Sequence, residues 1–335
     1  MNDVVSIIMA FRDTAPYIEA CLNSILEQTY PNWELIAVND HSLDGAREIV
    51  KAYSNKDNRI KLFDSPGQKL IPALQEGQKH ISGSLINRMD SDDKMPANKL
   101  EILVKEWKNH GKGHVIAGGT EHFVDQGEVG AGFRRYEKWL NHIAKHSLHT
   151  QEVYKECVIP SHSWIMHKDD FLNIGGFDSN IYPEDYDLTF RIYKSKLKII
   201  GIDNILHYWR DRQERISRTW DCYKDNRYFE LKLNNFLDID RNYERPLILW
   251  GAGKNAKEMA QLLISKKTDF SWVCDNKNKY GKDIYGVKIM PLEAIKLYKE
   301  PQIIICVSSP DFQAEIRDYL KQISKEPVKD YWFFL

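Results

Sequence analysis

The sequence is poor in cysteine and has no long apolar run. Its five cysteines are widely scattered over 335 residues, and no two of them form a Cys-x-x-Cys pair. An odd and scattered set of this kind argues against a disulfide framework and a cysteine zinc site, and it indicates reduced thiols in a cytoplasmic protein. No stretch approaches the roughly 18 apolar residues of a membrane-spanning helix, and the amino terminus lacks the pattern of a signal peptide. We expect a cytoplasmic protein that at most lies on the inner face of a membrane.

The sequence also lacks an excess of charge of either sign. Its formal net charge is −1 at pH 7, which gives no reason to propose a nucleic-acid partner. Apolar residues make up 42% and charged residues 28%, which is the composition of a globular protein. The length is that of about two domains.

Short apolar runs and helical patterns alternate through the first hundred residues. Such alternation predicts βαβ units, and therefore a mostly parallel sheet with helices on both faces. In sheets of this class, ligands bind at the carboxyl ends of the strands. The predicted strands are 4–11, 33–39, 60–63 and 85–89, and the predicted helices are 17–26, 46–53 and 72–80.

Acidic residues follow three of these predicted strands. Asp13 and Asp40 come after the first and second strands, and Asp90, Asp92 and Asp93 come after the fourth. Three carboxylates within four positions are costly unless a cation neutralises them, and oxygen-rich sites suit Mg²⁺ or Mn²⁺, which then hold substrate phosphates. The alternative interpretation is a loop that caps the helix after it.

A second α/β pattern begins at residue 246. An apolar run at 247–250 precedes a Gly-x-Gly-x-x-Ala turn that contains Gly251 and Gly253, and an amphipathic helix follows. Asp275 ends the next predicted strand, where a ribose-binding acid would fall in a dinucleotide fold. We predict a first domain at 1–240, with a connector helix from about residue 214, and a Rossmann-like domain at 245–335.

Residues 5–217 resemble the family 2 glycosyltransferases, which have a GT-A fold and use nucleotide-activated sugars. The resemblance implies a similar fold for the first domain and a sugar-transfer activity. It is looser at 208–217, and Ala10 replaces the usual proline of the first strand. The matching segments are 5–9, 24–31, 38–40, 88–93, 175–178 and Glu184-Asp185.

The resemblance implies a metal site on the acidic turn. Asp90 and Asp92 correspond to the Asp-x-Asp motif, with Mn²⁺ or Mg²⁺ held mainly by Asp92 against the donor diphosphate. Many family members place a further histidine in the terminal loop, where this sequence has Arg212, or Gln213 if the alignment slips by one. Arg212 could neutralise the diphosphate directly. His207 lies several residues earlier, from where a loop adjustment could bring it to the metal.

The resemblance also implies the donor-binding and catalytic residues. Asp40 would contact the nucleoside, Asp13 would lie near the nucleotide, and Arg88 would help to bind phosphate or sugar. Asp185 matches the general base, with Glu184 beside it. The position of Asp185 at a helix start predicts an ionised carboxylate that is able to accept a proton.

On the acceptor side the sequence gives fewer indications. Trp164 falls in the part of the family that forms the acceptor site, where it could stack on a sugar or simply pack in the core. The Gln-x-x-Arg-Trp motif of the processive polymerases is missing after the base. The missing motif favours the addition of a single sugar. The resemblance implies an inverting, metal-dependent transferase that moves this sugar from a nucleotide-diphosphate donor, which we expect to be a UDP-sugar, to a surface-glycan or lipid-linked oligosaccharide.

Two alternatives stay open at this point. The chain could bind sugar nucleotides as a scaffold without transferring them. It could also be bifunctional, with an NAD-dependent oxidoreductase as its second domain. That domain, by its resemblance to small Rossmann-like modules of polysaccharide enzymes, could instead serve docking or homo-oligomer formation.

Overall fold

We describe the protein from a computed structural model, for residues 3–212, Arg215 and 228–335. Within these residues the chain divides into two compact units. The first contains 3–149 and 158–212, and the second contains 150–157 and 228–335. In the described part of the chain, no helix has the length and apolar character that crossing a bilayer requires.

The first unit is built around a seven-stranded sheet. Its strands are β1 (Val5–Phe11), β2 (Trp33–Asn39), β3 (Ile60–Asp64), β4 (Leu85–Arg88), β5 (His114–Phe123), β6 (Trp164–His167) and β7 (Lys198–Arg210). Their order across the sheet is β3-β2-β1-β4-β6-β5-β7. All neighbouring strands are parallel except β6, which is antiparallel to β4 and to β5. The predicted α/β fold with a mostly parallel sheet is confirmed.

Helices cover the sheet, as the alternating pattern predicts. Strands β1 and β2 are buried along almost their whole length, because apolar helix faces pack against them. The third helix begins two residues before the predicted start at Pro72. The helices are α1 (Ala15–Leu26), α2 (Ala46–Ser54), α3 (Leu70–Lys79), α4 (Lys99–His110), α5 (Ala131–His146), α6 (His149–Glu152), α7 (Lys168–Asn173) and α8 (Glu184–Lys194).

The parallel register of the sheet brings the predicted acidic loops to one edge. Phe11 at the end of β1 lies opposite Asn39 at the end of β2, and β4 pairs in parallel with β1 on the other side. The loops that follow these three strands therefore lie next to one another. They carry the aspartates that the sequence singled out.

The second unit has its own six-stranded sheet. Its strands are β8 (Leu247–Trp250), β9 (Ser271–Cys274), β10 (Asp283–Ile284), β11 (Val287–Pro291), β12 (Gln302–Ile305) and β13 (Tyr331–Phe333). Their order is β10-β11-β9-β8-β12-β13, and only the β10–β11 pair is antiparallel. The helices of this unit are α9 (Phe229–Ile239), α10 (Lys254–Ser265) and α11 (Pro310–Gln322), with short 3-10 helices at Lys277–Lys279 and Leu292–Leu297.

Residues 150–157 belong to the second unit, which differs from the predicted division at 240–245. The Tyr154 ring stacks on Phe334 at 5.3 Å between centroids, and its hydroxyl donates to Asp240 Oδ2 at 2.8 Å. Lys232 donates from Nζ to the carbonyl oxygen of Lys155 at 2.8 Å. Contacts so distant in sequence leave no local pattern, so α9 and this segment were assigned to the first domain. The predicted start of the connector at 214 lies outside the described residues.

Candidate active site

Asp40 lies at the carboxyl end of β2 and is almost fully buried. Its two carboxylate oxygens accept hydrogen bonds from the backbone N–H of Lys69, at 3.0 and 3.1 Å. Nη1 of Arg12 lies 3.7 Å from Oδ2. Burial raises the pKa of the Asp40 carboxyl, and the Arg12 guanidinium opposes that shift. The side chain is therefore held in one position at the sheet edge, as recognition of a nucleoside would need.

Asp13 joins the loops that follow β1 and β2. Its Oδ1 accepts from the backbone N–H of Leu43 at 2.8 Å, and its own N–H donates to Ser42 Oγ at 3.2 Å. The Asp13 side chain remains 47% exposed. These contacts connect the two loops, and the role of Asp13 near the nucleotide stays a prediction.

Asp90 is the most heavily bonded carboxylate of the acidic turn. Arg88 Nη2 donates to Oδ1 at 3.0 Å, Ser161 Oγ donates to Oδ2 at 3.1 Å, and Nδ1 of His162 lies 3.5 Å from Oδ2. Burial disfavours the ionised form, but the Arg88 charge and the His162 and Ser161 contacts outweigh it and lower the pKa of Asp90. Asp90 is therefore a charged group held rigidly in place.

Asp92 and Arg212 form an ion pair at the edge of the same turn. Arg212 donates from Nε to Asp92 Oδ2 at 2.8 Å, and each of the two side chains is about one-sixth exposed, at 17% and 16%. The guanidinium of Arg212 also lies over the Tyr17 ring. Arg210 donates from Nε to the backbone oxygen of Asp92 at 2.6 Å. The alternative loop position, Gln213, lies outside the described residues.

His207 lies behind the acidic turn, against Asp93 rather than beside Asp92. Its Nε2 is 2.8 Å from Asp93 Oδ2, and both side chains are essentially inaccessible to solvent. Burial raises the pKa of Asp93 and lowers the pKa of His207. The two groups form a buried hydrogen-bonded pair in which burial favours the uncharged form of each.

Asp93, His162 and His207 are the described residues that come closest to a side-chain metal cluster. Their ligand atoms all lie within 4.8 Å of one another. The two imidazole rings, however, stack face to face, with centroids 3.5 Å apart and planes 17° apart. An ion bound to an imidazole nitrogen lies near the plane of that ring. A shared ion would therefore require one ring to rotate out of the stack.

Lys99 is a member of the site that the sequence analysis missed. It is fully buried, and its Nζ donates to the carbonyl oxygen of His162 at 2.7 Å. Burial lowers the pKa of Lys99 to about 7, against the opposing charges of Asp90 and Asp93. At the start of α4 it has the pattern of an ordinary helix residue, and only the fold places it under the acidic turn. His162, just before β6, was also missed, because only the fold brings it to Asp90.

Glu184 is the first residue of α8, and its carboxylate forms an ion pair with Arg88. Arg88 Nη1 donates to Glu184 Oε1 at 2.8 Å, and the same guanidinium holds Asp90 through Nη2. Arg88 is only 5% exposed. The side chain that the resemblance assigned to phosphate or sugar binding is thus engaged by two carboxylates, and it links the acidic turn to α8.

Asp185 is the next residue of α8 and lines a small cavity with Arg88, Ser161 and Trp164. Its Oδ1 accepts from the backbone N–H of Tyr186 at 2.8 Å. Burial and the neighbouring charge of Glu184 raise the pKa of Asp185 to about 7. The expectation that the helix dipole keeps Asp185 fully ionised is therefore corrected, because desolvation and like charge outweigh the dipole.

Trp164 does not offer a ring face to a sugar. It is 1% exposed and packs against Phe171, with ring centroids 6.1 Å apart. Its carbonyl oxygen accepts from Asn87 Nδ2 on β4. The prediction of an acceptor contact is corrected in favour of the other interpretation, core packing.

The Gly-rich turn of the second unit borders a cavity of about 500 Å³. Gly251 has a φ of +124°, and a Cβ there would lie 2.8 Å from the carbonyl oxygen of Cys306. A Cβ at Gly253 would meet nothing within 4 Å, so this residue faces open space. Asp275 is exposed and does not line the cavity. The lining includes Lys254, Lys257, Lys279 and Tyr285.

Comparison with known proteins adds family information to this geometry. Residues 6–175, about half of the chain, match the family model described as glycosyl transferase family 2. Residues 243–329 match the family model described as C2185-like, N-terminal.

Curated relatives are glycosyltransferases by name. Glycosyltransferase GlyA of Streptococcus pneumoniae serotype 4 is 28% identical over 66% of this chain, a match that spans only 32% of GlyA. WfgD of Escherichia coli is named a UDP-Glc:alpha-D-GlcNAc-diphosphoundecaprenol beta-1,3-glucosyltransferase. It is 29% identical over 67% of this chain and 87% of its own length.

Solved structures share the fold. TarS of S. aureus, in complex with UDP-GlcNAc, has a TM-score of 0.53 at 18% identity, over 78% of this chain and 72% of that chain. The mannosyltransferase PcManGT of Pyrobaculum calidifontis, in complex with GDP-Man and Mn²⁺, has a TM-score of 0.50 at 16% identity, over 68% and 60% of the two chains.

Proposed function

Because the chain belongs to glycosyl transferase family 2, we propose that it moves a sugar from a nucleotide diphosphate to a hydroxyl group of a glycan acceptor. The observation that carries this proposal is the double ion pair of Arg88. Its guanidinium binds Asp90 at the end of β4 and Glu184 at the start of α8, the helix that carries Asp185. In this proposal Arg88 connects the carboxylates that act on the departing diphosphate with the helix whose Asp185 acts on the attacking hydroxyl.

We assign the divalent cation to Asp90 and Asp92, whose oxygen atoms suit Mn²⁺ or Mg²⁺. The fit is supported by Asp92, which is partly exposed and already holds a positive charge, the guanidinium of Arg212. When bound, the ion supplies a Lewis acid that withdraws charge from the diphosphate. In this proposal Arg212 binds the phosphates, and His207 supports the turn from behind through Asp93.

We assign the general base to Asp185. A pKa of about 7 leaves a large part of the carboxyl groups ionised at neutral pH while retaining enough basicity to accept a proton. In this proposal Glu184, which is paired with Arg88, raises that pKa through its negative charge and does not accept the proton itself. The hydroxyl oxygen then attacks the anomeric carbon, the bond to the diphosphate oxygen breaks, and the configuration inverts.

The names of the relatives support a proposal for the substrate classes. We propose a UDP-sugar as donor, because WfgD is named for UDP-Glc and TarS was solved with UDP-GlcNAc. Asp40 would contact the nucleoside and Asp13 would lie at its rim. We propose a lipid-linked oligosaccharide of a surface glycan as acceptor, with one sugar added, because the WfgD acceptor is a diphosphoundecaprenol. The chain would then work in the cytoplasm at the inner face of the membrane.

A second candidate function belongs to the second unit. The cavity beside Gly253 is lined by three lysines and one glutamate, Glu258, and this excess of positive charge favours a phosphate-bearing ligand over an uncharged one. Asp275, outside that lining, offers no ribose contact there, so a sugar nucleotide or a simple phosphate fits this cavity better than NAD. If the cavity binds no ligand, the alternative function of this unit is docking to another protein or formation of a homo-oligomer.

The test of the main proposal is slow hydrolysis of a donor in the absence of acceptor. The full chain is incubated with Mn²⁺ and a panel of UDP- and GDP-sugars, and the release of nucleoside diphosphate is measured. We expect one UDP-sugar to be hydrolysed above the rest. Asp185→Asn keeps the oxygen that accepts from Tyr186, so it should retain donor binding and lose roughly 10²- to 10⁴-fold in transfer rate.

Substitutions of Asp92 and Asp185 test the metal site and the general base independently. Asp92→Ala should weaken the calorimetric binding of UDP with Mn²⁺, whereas Asp318→Ala, an exposed carboxylate of α11, should leave it unchanged. Binding of donor without turnover in any condition would favour the scaffold function. Wild-type turnover in Asp185→Asn would refute the base assignment.

A further inference from the structure

One face of α5 carries a row of basic side chains, four of which are arginine or lysine. The opposite face of the helix, with Leu140, Ile143 and Ala144, is buried. The exposed residues recur every three or four positions, so they form one stripe along the helix. They are Arg134, Arg135, Lys138, His142, Lys145 and His146.

The stripe has more positive than negative charge. Glu137 lies 3.2 Å from Arg134 and is 12% exposed, and Lys145 pairs with Asp203 at 2.7 Å. Arg135 and Lys138 have no acidic partner among the residues that the structure describes. The whole chain has a net charge of only −1. A negatively charged surface would therefore attract this face of the first unit in particular.

Ring contacts connect α5 to the acidic turn within the first unit. The ring of Phe133 on α5 lies 5.4 Å from that of His122, which stacks on Trp209 at 4.8 Å. Trp209 meets the ring of His162 at 4.7 Å, and His162 Nδ1 is 3.5 Å from Asp90. A surface bound by α5 would thus lie near the side of the site where sugar transfer is proposed.

We propose that the cationic stripe of α5 docks the protein on an anionic lipid bilayer. The apolar face of α5 is already used inside the unit, so attachment is electrostatic and not by insertion. A straight row of charges from Arg134 to Lys145 suits a flat surface of lipid headgroups. The inference rests on the proposed function, since it supplies the surface on which a lipid-linked acceptor would be presented.

The test is cosedimentation of the full chain with vesicles. We expect binding to phosphatidylcholine vesicles that contain phosphatidylglycerol, little binding to phosphatidylcholine alone, and release in high salt as the charges are screened. Each Lys or Arg near an anionic membrane contributes roughly fivefold to partitioning. Arg135→Gln with Lys138→Gln should therefore weaken binding roughly 25-fold. Arg135→Glu with Lys138→Glu should abolish it.

A control variant makes a matching change of charge on other helices of the first unit. Lys51→Glu with Lys105→Glu alters two exposed lysines on α2 and α4 and should leave vesicle binding within twofold. Equal loss in this control, or undiminished binding in the α5 variants, would overturn the proposal. Equal affinity for a soluble polyanion, such as polyphosphate, would overturn the assignment to a bilayer. Donor hydrolysis in vesicle-free solution reports on the proposed function separately, and the α5 variants should keep it.

Discussion

Nε of Arg212 lies 2.8 Å from Oδ2 of Asp92, so a cation of the chain itself occupies the carboxylate that we assign to the metal. A divalent ion that binds Asp92 must displace this guanidinium. The displaced guanidinium is then available to the phosphates of the donor. Metal and nucleotide should therefore bind with positive coupling, and the coupling should pass through Arg212.

Removing the Arg212 guanidinium should have opposite effects on the two ligands. In Arg212→Ala, Asp92 has no internal competitor, so Mn²⁺ should bind the nucleotide-free protein about fivefold more tightly. UDP should bind the Mn²⁺-loaded protein more weakly, because one phosphate contact is lost. Titration calorimetry of Mn²⁺ with and without UDP measures both changes. Lys105→Ala is the control, and weaker Mn²⁺ binding in Arg212→Ala would contradict the competition.

The pH dependence of transfer should report the Asp185 carboxyl. Its pKa is raised to about 7, and a base acts only when deprotonated. We expect kcat/KM to be level above about pH 7 and to fall tenfold for each pH unit below it. Glu184→Gln removes a neighbouring negative charge that raises this pKa, so the acid limb should shift to lower pH. An unchanged pH profile in Glu184→Gln would contradict the conclusion that the charge of Glu184 raises the pKa of Asp185.

The buried guanidinium of Arg88 should be important for stability. Arg88→Met leaves Asp90 and Glu184 buried without their shared counter-charge, which should lower the free energy of unfolding by about 3–5 kcal/mol at pH 7. Since Arg88 lowers the pKa of Asp90, the loss should shrink as acid protonates that carboxyl. Urea unfolding at pH 7 and pH 5 measures this. Arg47→Met breaks an exposed pair with Asp64 and should cost about 1 kcal/mol or less.

The second unit should depend on Tyr154. The ring is buried between Phe334 and Phe236, so Tyr154→Ala should lower the free energy of unfolding by about 3–5 kcal/mol. Tyr154→Phe keeps the ring and loses only the hydrogen bond to Asp240, at a cost of about 1 kcal/mol. Urea unfolding of the full chain distinguishes the two. Similar losses in both variants would mean that the ring packing contributes little.

The strands and the acidic loops of the site could be predicted from the sequence. Alternation of apolar runs with helical patterns fixes a parallel sheet, and a parallel sheet places Asp40 and Asp90 at the same edge. A strand at 161–166 could be predicted, but its antiparallel direction could not, because nothing local in 164–167 records the direction of the neighbouring strands. With β6 come His162 and its contacts to Asp90.

The electrostatics of the site were less accessible to sequence reasoning than its position. The sequence places Glu184 and Asp185 at a helix start, and the dipole argument gives them equal reason to be charged. The structure gives Glu184 the Arg88 guanidinium and gives Asp185 a buried position beside Glu184. The pKa of Asp185 depends on that arrangement in space. The same holds for Lys99, whose buried position beside Asp90, Asp93 and the carbonyl oxygen of His162 is set by the fold.

Residues 150–157 complete a unit whose other members are residues 228–335. During synthesis this segment leaves the ribosome long before Phe334, the residue on which Tyr154 stacks. Until Phe334 has been made, the side chains of Val153 and Tyr154, which are buried in the folded unit, stay exposed to solvent in the nascent chain. A premature stop near the carboxyl terminus would therefore uncover residues in the interior of the sequence as well as at the break, and would offer them to chaperones and proteases.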